Sequence, residues 1–176
     1  PDLLHPDICV FDLDPSTDDA ESIYGAALGL RDLLAELGLS SRVKTSGSKG
    51  FHIVVPLDGS ARKGEASRFA HAVGAELVKR HPEQLTQEFS KDDRGGRIYV
   101  DTGRNDYSAT FAAVYAVRPK PRAPVSAPCT WEEIEHGDVG TRTFTLLTMA
   151  ARIAKVGDLW SDLHAHGQSL RPAMDR

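Results

Sequence analysis

A short apolar run, residues 8–11, leads directly into two aspartates, Asp12 and Asp14, that are separated by one residue. Such a run predicts a short buried strand, here over residues 8–13, that ends near Pro15. Side chains two positions apart on a strand point to the same side, so both carboxylates would project from one face of a sheet. Two like charges this close repel unless a cation lies between them, and Mg²⁺ or Mn²⁺, which prefer oxygen ligands, would serve. The alternative is a turn at the strand end with solvated aspartates.

The rest of the chain alternates short apolar strands with amphipathic helices. Further strands are predicted over residues 43–45, 51–57, 97–101 and 109–117, and helices over residues 18–37, 63–80, 143–155 and 158–165. The first helix has a predicted cap at Asp18 or Asp19 and a predicted stop at Gly38. Four prolines between residues 118 and 130 require an extended or looped segment, because proline cannot sit inside a helix. The order β-α-β-β-α-β-β predicts an α/β or α+β domain with no internal boundary.

Composition excludes several classes of protein. The chain has 176 residues, of which 40% are hydrophobic, so one domain with a single core is expected and a disordered chain is not. No apolar run approaches the roughly 20 residues of a membrane span. Two cysteines, Cys9 and Cys129, cannot form a disulfide framework, which indicates a reducing, cytoplasmic setting. The net charge of −4 argues against a strongly basic nucleic-acid binder, so any such contact must use local basic groups.

The loop between the second and third predicted strands has the residue types of an anion site. Gly47 and Gly50 allow a tight turn that brings backbone N–H groups near an anion. Ser46 and Lys49 add a hydroxyl group and a positive charge, and His52 begins the next strand, where it can donate to a phosphate oxygen. The loop is not a Walker loop, because the G-x-x-x-x-G-K-[ST] order is absent. The alternative is an ordinary turn between strands.

A third acidic strand end and two basic segments follow. Asp101 ends an apolar strand, as Asp12 does, so strand-borne carboxylates could share a pair of metal ions. Arg94 and Arg104 lie on either side of that strand and can offset the charge of a polyphosphate. Residues 118–122 form a stiff basic segment that can meet phosphate or be a solvated loop.

Taken together, these segments resemble the polymerase domain of bacterial ATP-dependent DNA ligase D, which belongs to the archaeo-eukaryotic primase superfamily. The segments that carry the resemblance are residues 10–15, 44–52, 97–101 with Arg104-Asn105, and 123–131. They occur in the family's order and span nearly the whole chain. The resemblance implies a primase-polymerase palm, with an RRM-like mixed or antiparallel sheet flanked by helices. It implies one catalytic domain over residues 1–176, expected to be a fragment or a minimal version because a further N-terminal module of the family is missing.

The resemblance also implies roles for particular residues. Asp12, Asp14 and Asp101 match the family's catalytic carboxylates, which bind two Mn²⁺ or Mg²⁺ ions. Nucleotide contacts are implied for Ser46, Lys49, His52 and Arg118, with looser matches at Arg94 and Lys120. Lys120 stands where the family has an arginine, so it keeps the charge but loses the bidentate fork.

The implied activity is metal-dependent addition of NTPs or dNTPs to primer 3′ ends during end-joining DNA repair. The implied partners are NTPs or dNTPs, primer-template DNA ends, and a ligase domain or partner together with Ku. The implied location is the cytoplasm at the nucleoid, and no membrane is involved. Two alternatives remain open. A haloacid-dehalogenase-like phosphatase would use Asp12 and Asp14, with Thr45 or Ser46, and the acidic segment Asp158 to Asp162. A non-catalytic module that binds DNA ends is the other.

Overall fold

The computed structural model describes residues 4–17 and 20–175. Its strands are β1 (Ile8–Pro15), β2 (Arg42–Thr45), β3 (Phe51–Pro56), β4 (Leu85–Thr86), β5 (Ile98–Asp101) and β6 (Pro128–Cys129). Its helices are α1 (Ala20–Glu36), α2 (Lys63–Arg80), α3 (Trp131–Glu135), α4 (Met149–Val156) and α5 (Arg171–Met174). The caps predicted at Asp18 and Asp19 lie outside the described residues. Within those residues, no helix is both long enough and apolar enough to cross a membrane.

The six strands form one mixed sheet in the order β4-β5-β1-β3-β2-β6. The central strand β1 pairs antiparallel with β3 on one side and with β5 on the other. Only the short strand β4 runs parallel to its neighbour, β5. The prediction of a mixed sheet flanked by helices is therefore confirmed, with the strand that carries Asp12 and Asp14 at its centre.

One face of this sheet packs into the hydrophobic core. Alternate residues of β1, including Phe11 and Leu13, are fully buried, and helices α1 and α2 pack against this part of the molecule. The helical spacing predicted for α2 is confirmed, since Phe69, Val73 and Leu77 are all buried. Burying a side chain of this size contributes about 1.5–3 kcal/mol. Because side chains alternate along a strand, Asp12 and Asp14 are directed to the opposite face.

Three of the predicted elements are wrong. Residues 109–117, predicted as a strand, form an irregular loop with a positive φ angle at Tyr115. The backbone of this loop bonds to a segment that follows it in the chain, since the Tyr115 N–H donates to the Ser126 carbonyl. The helix predicted over 143–155 begins only at Met149, because the Phe144 carbonyl accepts a hydrogen bond from the Val125 N–H.

The helix predicted over 158–165 is also wrong, since this segment consists of turns and a 3₁₀ turn at Leu163–His166. Strands β4 and β6 were not predicted. Each has two residues, which is too short for an alternating pattern to be visible.

Candidate active site

Four polar side chains form a row that crosses the sheet. Asp12 of β1 lies opposite Asp101 of β5 and, on its other side, opposite His52 of β3. His52 in turn lies opposite Lys44 of β2. Residues directly opposite one another in antiparallel strands share a face of the sheet, so all four project on the side away from the core. The structure thus places Asp101 next to Asp12, as predicted.

A cavity of about 490 Å³ opens on this face. Six of the predicted site residues line it: Asp12, Asp14, Ser46, Lys49, His52 and Arg118. Arg104 and the loop that carries Thr110 to Ala112 complete the wall, together with Val117. Asp101, Arg94 and Lys120 do not line the cavity. Asp101 and Arg94 contact residues that line it, Asp101 through Arg104 and Arg94 through Asp14. Lys120 is exposed on a loop.

Two arginines pair with the three carboxylates. The Arg104 Nη2 atom lies 2.9 Å from Asp101 Oδ2, and its Nε atom lies 3.6 Å from Asp12 Oδ2. One guanidinium group therefore bridges two carboxylates of the row. Arg94, which is almost fully buried, places Nη1 3.4 Å from Asp14 Oδ2. Its guanidinium group also packs over the Tyr99 ring, at 4.1 Å from the centroid.

These carboxylates match a divalent metal in ligand type and charge. In residues 4–17 and 20–175, however, no three histidine, cysteine, aspartate or glutamate side chains converge closely enough to hold a metal ion. Arg104 lies between Asp12 and Asp101, where an ion shared by these two carboxylates would have to bind. The donor set thus fits Mg²⁺ or Mn²⁺ provided that Arg104 moves away from the two carboxylates.

The loop between β2 and β3 depends on its two glycines. Gly47 has a φ of +65°, and a Cβ atom there would lie 2.7 Å from Arg118 Cγ. A Cβ atom at Gly50 would lie 1.7 Å from the Leu13 carbonyl oxygen, which is far inside contact distance. These close approaches hold the loop against β1 on one side and against Arg118 on the other.

Ser46 organises this loop from within. Its Oγ atom accepts hydrogen bonds from the N–H groups of Ser48 and Gly50, each at 3.1 Å. Those two N–H groups therefore point at Ser46 and not outward at an anion, which corrects the simplest form of the sequence prediction. Four residues of the loop line the cavity, namely Ser46, Ser48, Lys49 and Gly50, and Lys49 brings the positive charge among them.

Three groups from later in the chain hold the loop in place. Arg118 Nη1 donates to the Ser46 carbonyl at 3.3 Å. Thr141 Oγ1 and Arg142 Nε both donate to the Ser48 carbonyl, at 3.1 and 2.6 Å. Arg142 was not predicted as a site residue. Nothing in the sequence around it distinguishes it from an ordinary surface arginine.

Lys44 is the residue that the sequence predictions missed most clearly. Its Nζ atom lies 2.6 Å from His52 Nδ1, and His52 Nε2 lies 3.3 Å from Asp12 Oδ1. A buried chain of three ionisable groups thus runs from Lys44 to the cavity. Its place in the sequence, in the short strand just before the loop that carries Ser46, gave no signal that it would be buried.

Burial shifts the pKa values along this chain. Desolvation lowers the pKa of Lys44 to about 7 and lowers the pKa of His52 below its ordinary value. Desolvation also acts to raise the pKa of Asp12. The hydrogen bond and charge of His52, with the charges of Arg104 and Lys44, outweigh that effect and hold it below its ordinary value. Asp12 is therefore ionised at neutral pH.

The acidic residues that supported the phosphatase alternative lie elsewhere. Asp158 accepts a hydrogen bond from the Tyr115 hydroxyl group, and Asp162 pairs with Arg42. Neither lines the cavity at Asp12. The geometry therefore does not assemble that alternative site.

A family model and several curated proteins match this chain, and all of them are LigD. A model of the LigD primase-polymerase domain matches residues 1–160. The chain is 36% identical over 172 residues to the multifunctional non-homologous end joining DNA repair protein LigD of Mycobacterium tuberculosis H37Rv, a match that covers 95% of this chain and 21% of that protein. It is 35% identical over 180 residues to the Pseudomonas aeruginosa LigD, covering 99% of this chain and 21% of that protein.

A solved structure agrees with these relatives. The polymerase domain from Mycobacterium tuberculosis ligase D in complex with DNA superposes with a TM-score of 0.84 at 33% sequence identity. That match covers 93% of this chain and 57% of the solved chain. The chain spans about a fifth of the length of the curated relatives named above.

Proposed function

Because the chain belongs to the family of LigD primase-polymerase domains, we propose that it is a nucleotidyltransferase of non-homologous end joining. It adds nucleotides from NTPs or dNTPs to the 3′-hydroxyl group of a primer strand at a DNA end. The observation that carries this proposal is one cavity whose lining combines the carboxylates of Asp12 and Asp14 on the central strand with the cationic side chains of Lys49 and Arg118. Such a cavity offers one region for the reacting atoms and one for a triphosphate.

The cationic wall would bind the triphosphate. Lys49 supplies an ammonium group and Arg118 a guanidinium group, which makes strong hydrogen bonds to phosphate oxygens. Ser46 already accepts two backbone hydrogen bonds, so its own hydroxyl hydrogen remains to donate. Lys120, on the exposed loop just beyond Arg118, would add charge to the outer phosphates without the fork of an arginine.

The three carboxylates would bind two Mn²⁺ or Mg²⁺ ions. Bound divalent ions would activate the primer hydroxyl group and stabilise the pyrophosphate leaving group. Asp12, Asp14 and Asp101 would supply oxygen ligands once Arg104 and Arg94 have turned away from them. Before that, the two arginines offset part of the charge of the three carboxylates.

The proposed macromolecular partners follow from the relatives. The solved neighbour is a polymerase domain in complex with DNA, and we propose primer-template DNA ends as the substrate of this chain. Because the relatives are multifunctional or bifunctional end-joining proteins, we further propose that the chain works with a ligase domain or partner ligase and with Ku.

Primer extension by the 176-residue chain tests the proposal. The chain is incubated with a labelled primed DNA end, a mixture of NTPs and either Mn²⁺, Mg²⁺ or a chelator. Asp14→Asn serves as the site variant and Asp162→Asn, which changes an acidic residue paired with Arg42, as the matched control. We expect metal-dependent extension that Asp14→Asn abolishes and Asp162→Asn retains.

Each other outcome selects an alternative. DNA binding without extension under any metal condition would replace the proposal with a non-catalytic module that binds DNA ends. Hydrolysis of a generic phosphate ester without extension would support the phosphatase. Extension that persists unchanged in Asp14→Asn would remove that carboxylate from the mechanism.

A further inference from the structure

Lys44 is a charged side chain that the proposed chemistry does not use directly. It is fully buried, with no exposed surface, although lysine is among the residues least often found inside proteins. It does not line the cavity. Its Nζ atom has three polar neighbours: the Ala112 carbonyl at 2.8 Å, Ser126 Oγ at 2.6 Å and His52 Nδ1 at 2.6 Å.

Two of these contacts have only one possible direction. The Ala112 carbonyl oxygen can only accept a hydrogen bond. Ser126 Oγ donates its own hydrogen to the Thr45 carbonyl at 2.8 Å, so it must accept from Lys44. Lys44 thus uses two of its hydrogens on fixed acceptors, and its third position faces the His52 ring.

The third contact of Lys44 then fixes the His52 tautomer. An ammonium group can only donate, so His52 Nδ1, 2.6 Å from Lys44 Nζ, accepts the third hydrogen and carries none of its own. The single N–H group of a neutral imidazole is therefore at Nε2. That hydrogen faces Asp12 Oδ1, a carboxylate oxygen that only accepts, at 3.3 Å. Every polar group in this arrangement has a partner.

From this hydrogen count we propose that Lys44 is a positioning residue that fixes His52 as its Nε2–H tautomer and directs that hydrogen at Asp12 Oδ1. The contact holds the Oδ1 atom of Asp12 and leaves the Oδ2 atom able to exchange partners. The partner of Oδ2 in this structure is the exposed Arg104. Phe111 shields the pair, with its ring edge-on to His52 and 5.2 Å from Lys44 Nζ. The catalytic importance of Asp12 rests on the proposed function. The His52 tautomer is inferred from the contacts alone and does not depend on that function.

A merely structural lysine makes a different prediction. In that case the ammonium group only ties the loop at Ala112 to Ser126, and the His52 tautomer is set by Asp12 alone. Ser126→Ala and Lys44→Met separate the two roles. Both remove the bond between Lys44 and Ser126, but only Lys44→Met removes the donor to His52.

The test is ¹H–¹⁵N NMR of the imidazole nitrogens of the ¹⁵N-histidine-labelled chain at about pH 6, below the pKa of about 7 for Lys44. The chain has seven histidines, and a His52→Gln spectrum identifies the His52 signals. We expect a bare Nδ1 and a protonated Nε2 in the parent and in Ser126→Ala. In Lys44→Met we expect a mixture of tautomers. Lys79→Met, which changes an exposed lysine of α2, should leave the His52 signals unchanged.

Asp12→Asn keeps the proposal testable if Lys44→Met does not fold. If Lys44 fixes the tautomer, the Nε2–H form persists in Asp12→Asn. Loss of that form in Asp12→Asn, a protonated Nδ1 in the parent, or an unchanged tautomer in folded Lys44→Met would each overturn the proposal. None of these readouts depends on polymerase activity, so failure of this inference is distinct from failure of the proposed function.

Discussion

The side-chain amide of Asn105 makes both of the hydrogen bonds that a neighbouring strand would make with the backbone of Val10. Val10 N–H donates to Asn105 Oδ1, and Asn105 Nδ2 donates to the Val10 carbonyl, both at 2.8 Å. Strand β5 ends at Asp101, opposite Asp12, so the backbone of β1 would otherwise lack a partner at this point. The same clamp sets the place of Arg104, which therefore reaches Asp12 and Asp101.

We expect Asn105→Ala to destabilise the fold. Two buried backbone groups lose their partners, which costs about 1–3 kcal/mol for each group left unsatisfied. The free energy of unfolding in urea measures the effect. Gln87→Ala is the matched control, because that amide makes only a long, exposed hydrogen bond of 3.4 Å to the His71 carbonyl. A loss in Asn105→Ala no greater than that in Gln87→Ala would contradict the clamp.

Asp12→Ala and Asp14→Ala should both abolish metal-dependent extension but differ in stability. The Asp14 side chain is 44% exposed, so its loss should cost at most about 1 kcal/mol. The Asp12 side chain is 17% exposed and contacts His52 and Arg104, so its loss should cost about 1–3 kcal/mol. Primer extension with Mn²⁺ and thermal unfolding of each variant are the measurements. Extension at the parent rate in either variant would show that the carboxylate is not catalytic.

Lys49→Ala should weaken nucleotide binding more than DNA binding. Loss of one charge-assisted hydrogen bond to a phosphate corresponds to about 1.5–3 kcal/mol, or roughly tenfold to over a hundredfold in affinity. The affinities for nucleotide and for primed DNA are titrated separately, with Mn²⁺ present. Lys79→Ala, on the far end of α2, is the control. Unchanged nucleotide affinity with reduced DNA affinity would assign the loop to the nucleic-acid backbone instead.

Stability should rise with pH just above neutrality because of Lys44. Burial lowers its pKa in the folded chain to about 7, from 10.5 when exposed, so between these values the unfolded chain binds more protons. The free energy of unfolding therefore increases as pH rises through this window, by about 2 kcal/mol from pH 7 to 9.

Lys44→Met removes this contribution and serves as the reference for that measurement. Both proteins contain the same two cysteines, whose titration then cancels in the difference. We expect the parent to gain stability relative to Lys44→Met between about pH 7 and 9. A difference that stays constant with pH would mean that the folded chain keeps the ordinary pKa of lysine.

Gly50→Ala should be among the most damaging single substitutions. Its Cβ atom would lie 1.7 Å from a backbone oxygen of β1, which cannot move without displacing the strand. Gly25→Ala is the control, because a Cβ atom at this helical position meets nothing within 4 Å. It should stabilise α1 by up to about 1 kcal/mol. The soluble yield and unfolding midpoint of both variants test this, and equal midpoints would contradict it.

Much of the fold was predictable because its signals are local. The apolar run before Asp12 predicted the central strand, and the spacing of Phe69, Val73 and Leu77 predicted helix α2 with its observed bounds. The position of Asp101 beside Asp12 followed from two strand ends in one sheet. In each case the residue type and its period were sufficient.

The rest depended on contacts between distant residues. Lys44 gave no signal of burial, because a lysine in a short strand usually faces solvent, and only the meeting of β2, β3 and the loop at Ala112 encloses it. Residues 109–117 are apolar enough to predict a strand. They form an irregular loop instead, because their backbone bonds to a segment that follows them in the chain, with the Tyr115 N–H donating to the Ser126 carbonyl and the Ser126 N–H to the Ala116 carbonyl.

The polar row across the sheet also limits how the chain can misfold. Pairing that slips by one residue turns every side chain of a strand to the opposite face. A slipped β1 would press Asp12 against α1 and α2, and burying an unpaired charge there is very costly. The residues proposed for chemistry thus also reject incorrect strand pairing. Substitutions in this row should therefore lower the yield of correctly folded protein even in cells that never need its activity.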